Sequence, residues 1–210
     1  MSGIGTLGVI LAGGAGSRVG GADKGLLAVH GAPVVEHVAA ALRPQCDDML
    51  IVANRNRPDY ARVARVVGDE IPGHAGPLAG IAAALALVVE SGENPFEDCR
   101  WLLTVPVDCP DFPGDVGDRL RGAFDGDARL ACAYARDERR LQPLFALYSL
   151  ASGGALLESA RAAASLHGSV LRWHMGLAAR AVEFRGQAAA FHNLNAPEDF
   201  REYERSHAAI

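Results

Sequence analysis

The chain has 210 residues, of which half are hydrophobic and 21% are charged, and this composition excludes disorder as its main state. Its formal net charge is −5, with 20 Lys and Arg residues against 25 Asp and Glu residues, which argues against nucleic-acid binding through a broad basic surface. The uncharged apolar stretch at residues 75–89 is too short and too interrupted by Gly and Pro to span a bilayer. Because no basic region precedes the apolar N-terminal run, no signal peptide is expected. We therefore predict a cytoplasmic protein without nucleic-acid or membrane partners.

Short apolar runs alternate along the chain with longer runs rich in Ala and Leu. The predicted strands are residues 7–12, 49–53, 63–67, 101–105, 129–134, 144–150 and 181–184. The predicted helices are residues 33–42, 77–89, 115–124, 154–164, 169–177 and 197–207. The alternation of strand and helix through the first half predicts right-handed βαβ crossovers and a mostly parallel sheet.

Two of the later predicted strands, residues 129–134 and 144–150, enclose the charged sequence RDERR. This arrangement predicts a hairpin, or an antiparallel excursion, within the sheet. No repeat, low-complexity linker or break in composition divides the chain. We therefore predict one α/β domain over residues 1–210, built as a three-layer, Rossmann-like open sheet.

A glycine-rich segment, LAGGAGSRVGGADKGLL at residues 11–27, directly follows the first predicted strand. Glycines allow the backbone to approach a ligand and to point its N–H groups at phosphate oxygens, while Arg18 and Lys24 supply two cations. The segment fails the dinucleotide pattern GxGxxG because Val19 stands in the last glycine position. It also fails the Walker A pattern, because Lys24 is followed by glycine and not by a hydroxyl that could hold Mg²⁺. We interpret it as a phosphate-binding loop of a third kind; the alternative is an ordinary tight turn.

A candidate magnesium ligand, Asp108, follows the apolar run at residues 101–105. Pro106 cannot donate a hydrogen bond within a central sheet, so it marks the end of the strand. Asp108 then lies just past the carboxyl end of that strand, where open α/β sheets bind ligands. A carboxylate that faces a polyphosphate is suited to Mg²⁺, although a turn aspartate is the alternative.

The segment LAGGxxxRxGGxDKGLL resembles the signature of the molybdenum cofactor guanylyltransferases, which have a nucleotide-diphospho-sugar transferase-like fold. Sugar nucleotidyltransferases share the opening LAGGxGxR but usually carry a longer stretch with proline before the lysine. Cytidylyltransferases for the same pterin more often have LAAG, so Gly13 and Gly14 favour guanine. The residues that match the signature are Arg18, Gly20, Gly21, Asp23, Lys24 and Gly25.

Weaker motifs of the same family follow, and the resemblance extends from about Leu7 to Phe200. The GPLAG segment at residues 76–80 resembles the part of the family that holds the purine base, and Asn54 and Asp69 fit two more nucleotide-contacting positions. Alone, these features also fit a helix start and solvated loops. The resemblance thus implies a nucleotide site made of Leu11, Ala12, Gly13, Gly14, Lys24, Asn54, Asp69, Gly76, Pro77, Leu78 and Gly80.

Two motifs resemble the acceptor side of the family. Arg140 precedes a strand similar to the PLFALY strand near the acceptor pocket. Residues 191–199 resemble FxNxNTPEDL, whose two asparagines face the reaction centre, here Asn193 and Asn195. Alone, Asn195 with Glu198 three residues later is also typical of a capped helix start. Val107 and Ala196 replace commoner family residues next to this site.

The resemblance implies transfer of GMP from GTP to the terminal phosphate of molybdopterin, with or without molybdenum, and release of pyrophosphate. Lys24, Arg18 and Asp108 would be catalytic, and Asp108 would hold Mg²⁺. A monomer is expected, with cofactor-insertion proteins or molybdoenzyme chaperones as candidate partners. The alternatives are a molybdopterin cytidylyltransferase, a sugar-phosphate nucleotidyltransferase, and a non-catalytic nucleotide-binding regulator. Retention of both Lys24 and Asp108 argues against the regulator.

Overall fold

The computed structural model describes residues 5–13, 23–69, 76–91 and 96–206. The strands within these ranges are β1 (Thr6–Leu11), β2 (Ala28–Val29), β3 (Ala32–Pro33), β4 (Asp48–Val52), β5 (Arg65–Val67), β6 (Trp101–Pro106), β7 (Cys132–Arg136), β8 (Leu141–Ser149) and β9 (Ala179–Glu183). The α-helices are α1 (Val34–Leu42), α2 (Arg57–Tyr60), α3 (Pro77–Val89), α4 (Val116–Gly122), α5 (Gly153–Ser165), α6 (Val170–Met175) and α7 (Pro197–Ser206). None of the helices in these ranges is both long enough and apolar enough to cross a membrane.

Seven strands form one sheet in the order β5-β4-β1-β6-β8-β7-β9. The strands β5, β4, β1 and β6 are parallel, β8 is antiparallel to both of its neighbours, and β9 is parallel to β7. The predicted mostly parallel α/β sheet with an antiparallel excursion is confirmed. The remaining strands, β2 and β3, form a small separate hairpin that the sequence pattern did not predict.

The sheet has a hydrophobic core on each face because successive side chains of a strand point to opposite sides. Ile10 and Ile51 lie in a core shared with α1 and α4, whereas Leu7 and Leu50 lie in a core shared with α3 and α5. All six residues of β1 are buried, as expected for a strand covered by helices on both sides. The predicted three-layer arrangement follows from these two cores.

Several bounds differ from the prediction, and two of the differences have identifiable reasons. The strand predicted at residues 63–67 begins only at Arg65, because Val63 and Ala64 donate their N–H groups to Tyr60 and continue the turn after α2. The strand predicted at residues 129–134 lies further along the chain, because Asp137 organises the hairpin turn. One oxygen of Asp137 accepts the N–H groups of residues 139 and 140, at 2.6 and 2.8 Å.

The carboxyl ends of the central strands meet at one edge of the sheet. Leu11 at the end of β1 is in register with Val52 at the end of β4 and with Pro106 at the end of β6. The strand β6 ends at Pro106, as its missing N–H predicted. This edge therefore carries the segments that follow all three strands, and the candidate residues lie on them.

Candidate active site

Lys24 occupies the first position of a 3₁₀ helix, Lys24–Leu26, and its side chain is 18% exposed. Its Nζ atom donates a hydrogen bond of 2.7 Å to Oδ1 of Asn195, which is 171 residues away in the sequence. The same Nζ lies 3.5 Å from Oδ2 of Asp108. The structure thus brings together three predicted site residues that come from three separate parts of the chain.

Asp108 lies two residues after the end of β6, and its side chain is 19% exposed. The preceding Val107 donates its N–H to the carbonyl of Leu11 at 3.1 Å, which fixes this turn against the end of β1. Burial raises the pKa of the Asp108 carboxyl above its ordinary value, and the ammonium of Lys24 opposes the rise. Lys24 and, more weakly, Arg140 favour the charged form of this carboxyl, which is the form that contacts a phosphate-bound metal or an ammonium group.

The segment before α7 places both predicted asparagines beside Asp108. The N–H of Leu194 donates to the carbonyl of Asp108 at 2.7 Å, which ties the segment to the end of β6. Nδ2 of Asn195 lies 3.4 Å from the carbonyl of Asn193. The side-chain amide of Asn195 therefore contacts both Lys24 and the backbone of Asn193.

Helix α7 begins at Pro197 as predicted, but its cap differs from the predicted capping pair of Asn195 and Glu198. Oδ2 of Asp199 accepts the N–H groups of Asn195 and Ala196, each at 2.7 Å. The reason is that the side-chain oxygen of Asn195 accepts from Lys24 instead of from the helix backbone. An asparagine that could cap the helix is thus used by the site.

Arg140 lies in the turn between β7 and β8, and its side chain reaches the segment before α7. Its Nη2 donates to the carbonyl of Phe191 at 3.2 Å, just before the asparagine segment. Its charge adds a smaller lowering effect to the pKa of Asp108 than Lys24 does. Arg140 is exposed, so its guanidinium remains open to an incoming anion.

The predicted nucleotide-contacting residues lie along the same edge, on the β1 and β4 side. Leu11 and Ala12 are buried at the end of β1, and the N–H of Ala12 donates to Val52. Oδ1 of Asn54 accepts the N–H of Asp69 at 2.9 Å. A Cβ atom at Gly13 would lie 4.0 Å from Nδ2 of Asn54, so these two loops are neighbours.

The GPLAG segment begins α3 as predicted. Gly76 is the extended residue before the helix, Pro77 is its first residue and is exposed, and Leu78 is buried. Gly80 is buried against the sheet, where a Cβ would lie 3.2 Å from Val52. Gly80 thus permits close packing of helix on sheet, and a contact with the purine base remains a prediction for this segment.

Two predicted residues, Gly14 and Arg18, lie outside the described residues. The structure describes the flanks of the glycine-rich segment, namely Gly13 and the residues from Asp23 onward. The roles assigned to Gly14 and Arg18 stay predictions.

Sequence reasoning missed two residues that contact the glycine-rich segment. The hydroxyl of Tyr60 donates to Oδ1 of Asp23 at 2.5 Å, and Nδ2 of Asn56 donates to Oδ2 of Asp23 at 3.0 Å. No motif marks either residue. The one signal available was Asp23 itself, a carboxylate next to Lys24 that needs hydrogen-bond donors.

The donors at this site fit Mg²⁺ bound mainly through a substrate. Among the described residues, no cluster of three His, Cys, Asp or Glu side chains could enclose a metal by itself. Mg²⁺ typically keeps several waters and uses one or two carboxylates together with phosphate oxygens, and Asp108 is one such carboxylate. The buried Oδ1 of Asn193 has no hydrogen-bond partner within the described ranges, which leaves a second oxygen donor in the adjoining segment.

Comparison with known proteins shows the family to which this chain belongs. The MobA-like NTP transferase domain family matches residues 8–178. The molybdenum cofactor guanylyltransferase of Serratia proteamaculans (strain 568) is 38% identical over 194 residues, covering 91% of this chain and 90% of that protein. The protein of the same name from Yersinia pseudotuberculosis serotype O:1b (strain IP 31758) is 36% identical over 195 residues, covering 91% of each chain.

A solved structure agrees in fold. The molybdopterin-guanine dinucleotide biosynthesis protein A from Archaeoglobus fulgidus has a TM-score of 0.70 with this chain at 19% identity, covering 97% of this chain and 100% of that one. At this identity the likeness shows the fold, which is the predicted nucleotide-diphospho-sugar transferase-like one. Together with the family match over most of the sequence, it establishes that the chain belongs to the MobA-like NTP transferase family and is a nucleotidyltransferase.

Proposed function

We propose that this protein transfers GMP from GTP to the terminal phosphate of molybdopterin, with or without bound molybdenum, and releases pyrophosphate. The main support for the proposal is that the Lys24 ammonium contacts both Asp108 and Asn195 at the carboxyl edge of the sheet. The names of the relatives at 36% and 38% identity support the choice of guanine nucleotide and of molybdopterin as acceptor.

The reaction asks for alignment and charge neutralisation more than for covalent chemistry. An oxygen of the molybdopterin phosphate forms a bond to the α-phosphorus of GTP. The bond from that phosphorus to the oxygen bridging to the β-phosphate breaks, and pyrophosphate leaves with the electron pair. Because the attacking group is already a phosphate anion, no strong general base is needed.

Lys24 is the residue placed to stabilise the charge that develops. Its ammonium is held by Asn195 and lies near Asp108, so it is oriented before a substrate binds. In this proposal it contacts the α-phosphate or the departing pyrophosphate. The glycine-rich segment, with Gly13, Gly14 and Arg18, would bind the remaining phosphate oxygens through N–H groups and a guanidinium.

Asp108 would hold Mg²⁺, with Asn193 as a nearby oxygen donor. When bound, the ion neutralises phosphate charge and orients the triphosphate. The ammonium of Lys24 lies 3.5 Å from Oδ2 of Asp108, close enough to balance the charge of the carboxylate.

The acceptor would approach from the side of Asn193, Asn195 and Arg140. Arg140 is exposed and is tied to the asparagine segment through the carbonyl of Phe191, so a bound phosphate would lie between a guanidinium and the amide groups. The base would lie on the other side, near Asn54, Asp69 and the start of α3.

We propose that the reaction takes place in the cytoplasm. The enzyme would act as a monomer and pass its product to cofactor-insertion proteins or molybdoenzyme chaperones.

A nucleotide panel tests the base preference. Thermal unfolding is followed with GTP, CTP, ATP and UTP, each with Mg²⁺, because a ligand that binds the folded state raises Tm. We expect the largest increase with GTP, and pyrophosphate release only when molybdopterin is added. A larger increase with CTP, with turnover of CTP, would favour a cytidylyltransferase. Turnover of a sugar phosphate in place of molybdopterin would favour a sugar nucleotidyltransferase.

A further inference from the structure

Asp23, the residue before Lys24, is bonded by two side chains that the proposed reaction does not use. Tyr60 is fully buried, and its hydroxyl donates to Oδ1 of Asp23 at 2.5 Å. Asn56 donates to the other oxygen at 3.0 Å. Asn56 has a φ of 51°, and this left-handed conformation immediately before α2 directs both residues to one carboxylate. Each carboxylate oxygen of Asp23 is therefore anchored from the same short segment.

Gly25, the residue after Lys24, is packed against the same tyrosine. A Cβ atom at Gly25 would lie 2.4 Å from the Tyr60 hydroxyl and 2.8 Å from Cγ2 of Val107. Only glycine fits this contact, because both distances are shorter than real Cβ contacts. The backbone on both sides of Lys24 is thus fixed, by hydrogen bonds at Asp23 and by close packing at Gly25.

These contacts matter because a lysine side chain is long and loses considerable rotamer freedom when it is held in one place. The 3₁₀ turn is closed by the N–H of Leu26, which donates to the carbonyl of Asp23 at 3.0 Å. Burial, followed by the bond to Asp23, raises the pKa of Tyr60, so its hydroxyl stays protonated and continues to donate. The direction of the Lys24 side chain therefore depends on the anchoring of Asp23.

We propose that Tyr60 and Asn56 are positioning residues for Lys24. They hold the carboxylate of Asp23 and thereby fix the turn Lys24–Leu26, so that the Lys24 ammonium points at Asp108 and Asn195. Their effect on turnover rests on the proposed function, whereas their effect on the lysine itself does not.

Lys24 is the one lysine among the 210 residues, since the other 19 of the 20 basic side chains are arginines. Lysine labelled with ¹³C at Cε therefore gives a single resonance. An amine-acylating reagent such as acetic anhydride has only this ε-amino group and the α-amino terminus to modify. The Cε resonance and the acylation rate therefore report on Lys24 directly, and neither measurement needs a substrate or an active enzyme.

Tyr60→Phe removes the hydroxyl and keeps the ring. We expect the Cε resonance to move toward the position of lysine in a flexible peptide, and acylation of Lys24 to become about tenfold faster, because the side chain leaves its partners. Tyr203→Phe is the matched control, because it removes a hydroxyl that donates to another aspartate, Asp111, at 2.9 Å. The control should leave the resonance and the acylation rate unchanged.

Exchanging the aspartate and the asparagine between positions 23 and 56 tests whether the hydrogen bond itself positions Lys24. Asp23→Asn alone brings amide donors together with the Asn56 amide, and Asn56→Asp alone brings two carboxylates together. The double variant restores one donor and one acceptor, and aspartate tolerates the left-handed conformation at position 56. We expect each single variant to disturb the lysine resonance and the double variant to restore it.

In turnover assays, Tyr60→Phe should lower kcat by about 10- to 100-fold with little change in KM for GTP, since misplacement of a catalytic group acts on the chemical step.

If Tyr60→Phe fails to fold, Asn56→Ala, which changes the exposed side of the same contact, replaces it. Altered lysine readouts in a protein that turns over no nucleotide would support the positioning role and refute the proposed function. Unchanged readouts in Tyr60→Phe and Asn56→Ala, or a double variant no better than the single ones, would overturn the positioning role.

Discussion

The Nζ atom of Lys24 contacts both Asn195 and Asp108, so its removal is the most direct test of the site. We expect Lys24→Ala to lower kcat by about 100- to 1,000-fold, because one preorganised donor at a reacting phosphate contributes on this order. The fold should persist, since the Lys24 side chain lies at the carboxyl edge of the sheet, outside both hydrophobic cores. Pyrophosphate release with GTP, Mg²⁺ and molybdopterin gives the rate, and thermal unfolding checks the fold.

Arg62→Ala is the matched control for that loss of charge. The Arg62 side chain is 81% exposed and lies 3.9 Å from Asp59, an arrangement in which a surface ion pair contributes little. Its turnover should equal that of the wild type. Near-normal turnover of Lys24→Ala, or an equal loss in both variants, would contradict the role of Lys24.

Asp108→Asn tests the metal ligand with almost no change of shape. The amide keeps one oxygen but loses the charge that favours Mg²⁺, so we expect loss of most Mg²⁺-dependent turnover. Because burial raises the pKa of Asp108, wild-type turnover should also fall on acidification at a higher pH than for an exposed aspartate. Rates measured against Mg²⁺ concentration and pH check both points. Asp111→Asn is the control, and an unchanged metal dependence in Asp108→Asn would place the metal elsewhere.

Single residues differed in how well the sequence predicted them. That Lys24 and Asp108 lie close together could be predicted, because each lies in a segment that follows a strand ending at the same edge of the sheet. Tyr60 and Asn56 could not, because they reach Asp23 across more than 30 residues through a four-residue helix that no periodicity marks. Contacts of this kind depend on how loops meet at the sheet edge, which local sequence does not specify.

At the scale of elements, the β7–β8 hairpin depends on the buried turn residue Asp137. It accepts the N–H groups of Arg139 and Arg140 on one oxygen and the amide of Gln142 at 2.7 Å on the other. Burial acts to raise the pKa of Asp137, but these hydrogen bonds outweigh it and lower the pKa below its ordinary value. Asp137→Ala leaves the donors unsatisfied and should cost about 1–3 kcal/mol of unfolding free energy.

Denaturation in urea measures the loss in Asp137→Ala. Asp137→Asn is the graded control, because its amide oxygen can still accept the two backbone N–H groups while its NH₂ group faces the amide of Gln142 or turns away. We expect its stability to lie between that of the wild type and that of the alanine variant. Equal stability of all three proteins would show that the turn does not depend on this side chain.

The elements also show which sequence signals are strong. The bounds of α3, Pro77–Val89, agree with the prediction because Gly76 and Pro77 fix its start and a long apolar run follows. The hairpin β2–β3 was missed because strands of two residues have no detectable alternation. Periodicity therefore predicted the elements that bury much apolar surface and missed those held by a few hydrogen bonds.

At the scale of the whole molecule, the parallel half of the sheet could be predicted and the order of the other half could not. Right-handed crossovers restrict how β1, β4 and β6 are arranged. The insertion of β8 between β6 and β7, and the parallel addition of β9 at the edge, depend on which buried faces match. Tyr148 on β8 illustrates this, since its buried hydroxyl finds its partner on α6, at His174, 2.8 Å away.

That pair makes the stability of the whole molecule dependent on pH. His174 is 1% exposed, and burial lowers its pKa from 6.5 to about 4. Below about pH 6.5 the unfolded chain takes up a proton at this histidine while the folded protein does not, so the free energy of unfolding falls as the pH falls. Above that pH the contribution is fully present, and near pH 4 about 3 kcal/mol is lost.

His174→Gln removes this titration and keeps a polar group for the Tyr148 hydroxyl. The free energy of unfolding in urea, measured between about pH 7 and about pH 4.5, should then fall less steeply than in the wild type, whatever its absolute value. His192→Gln is the control, because the side chain of His192 is 64% exposed. The free energy of unfolding of the control should fall more steeply with decreasing pH than that of His174→Gln. An equally steep fall in His174→Gln would assign the acid sensitivity to other groups, because only the slope, and not the stability at one pH, reports the proton taken up on unfolding.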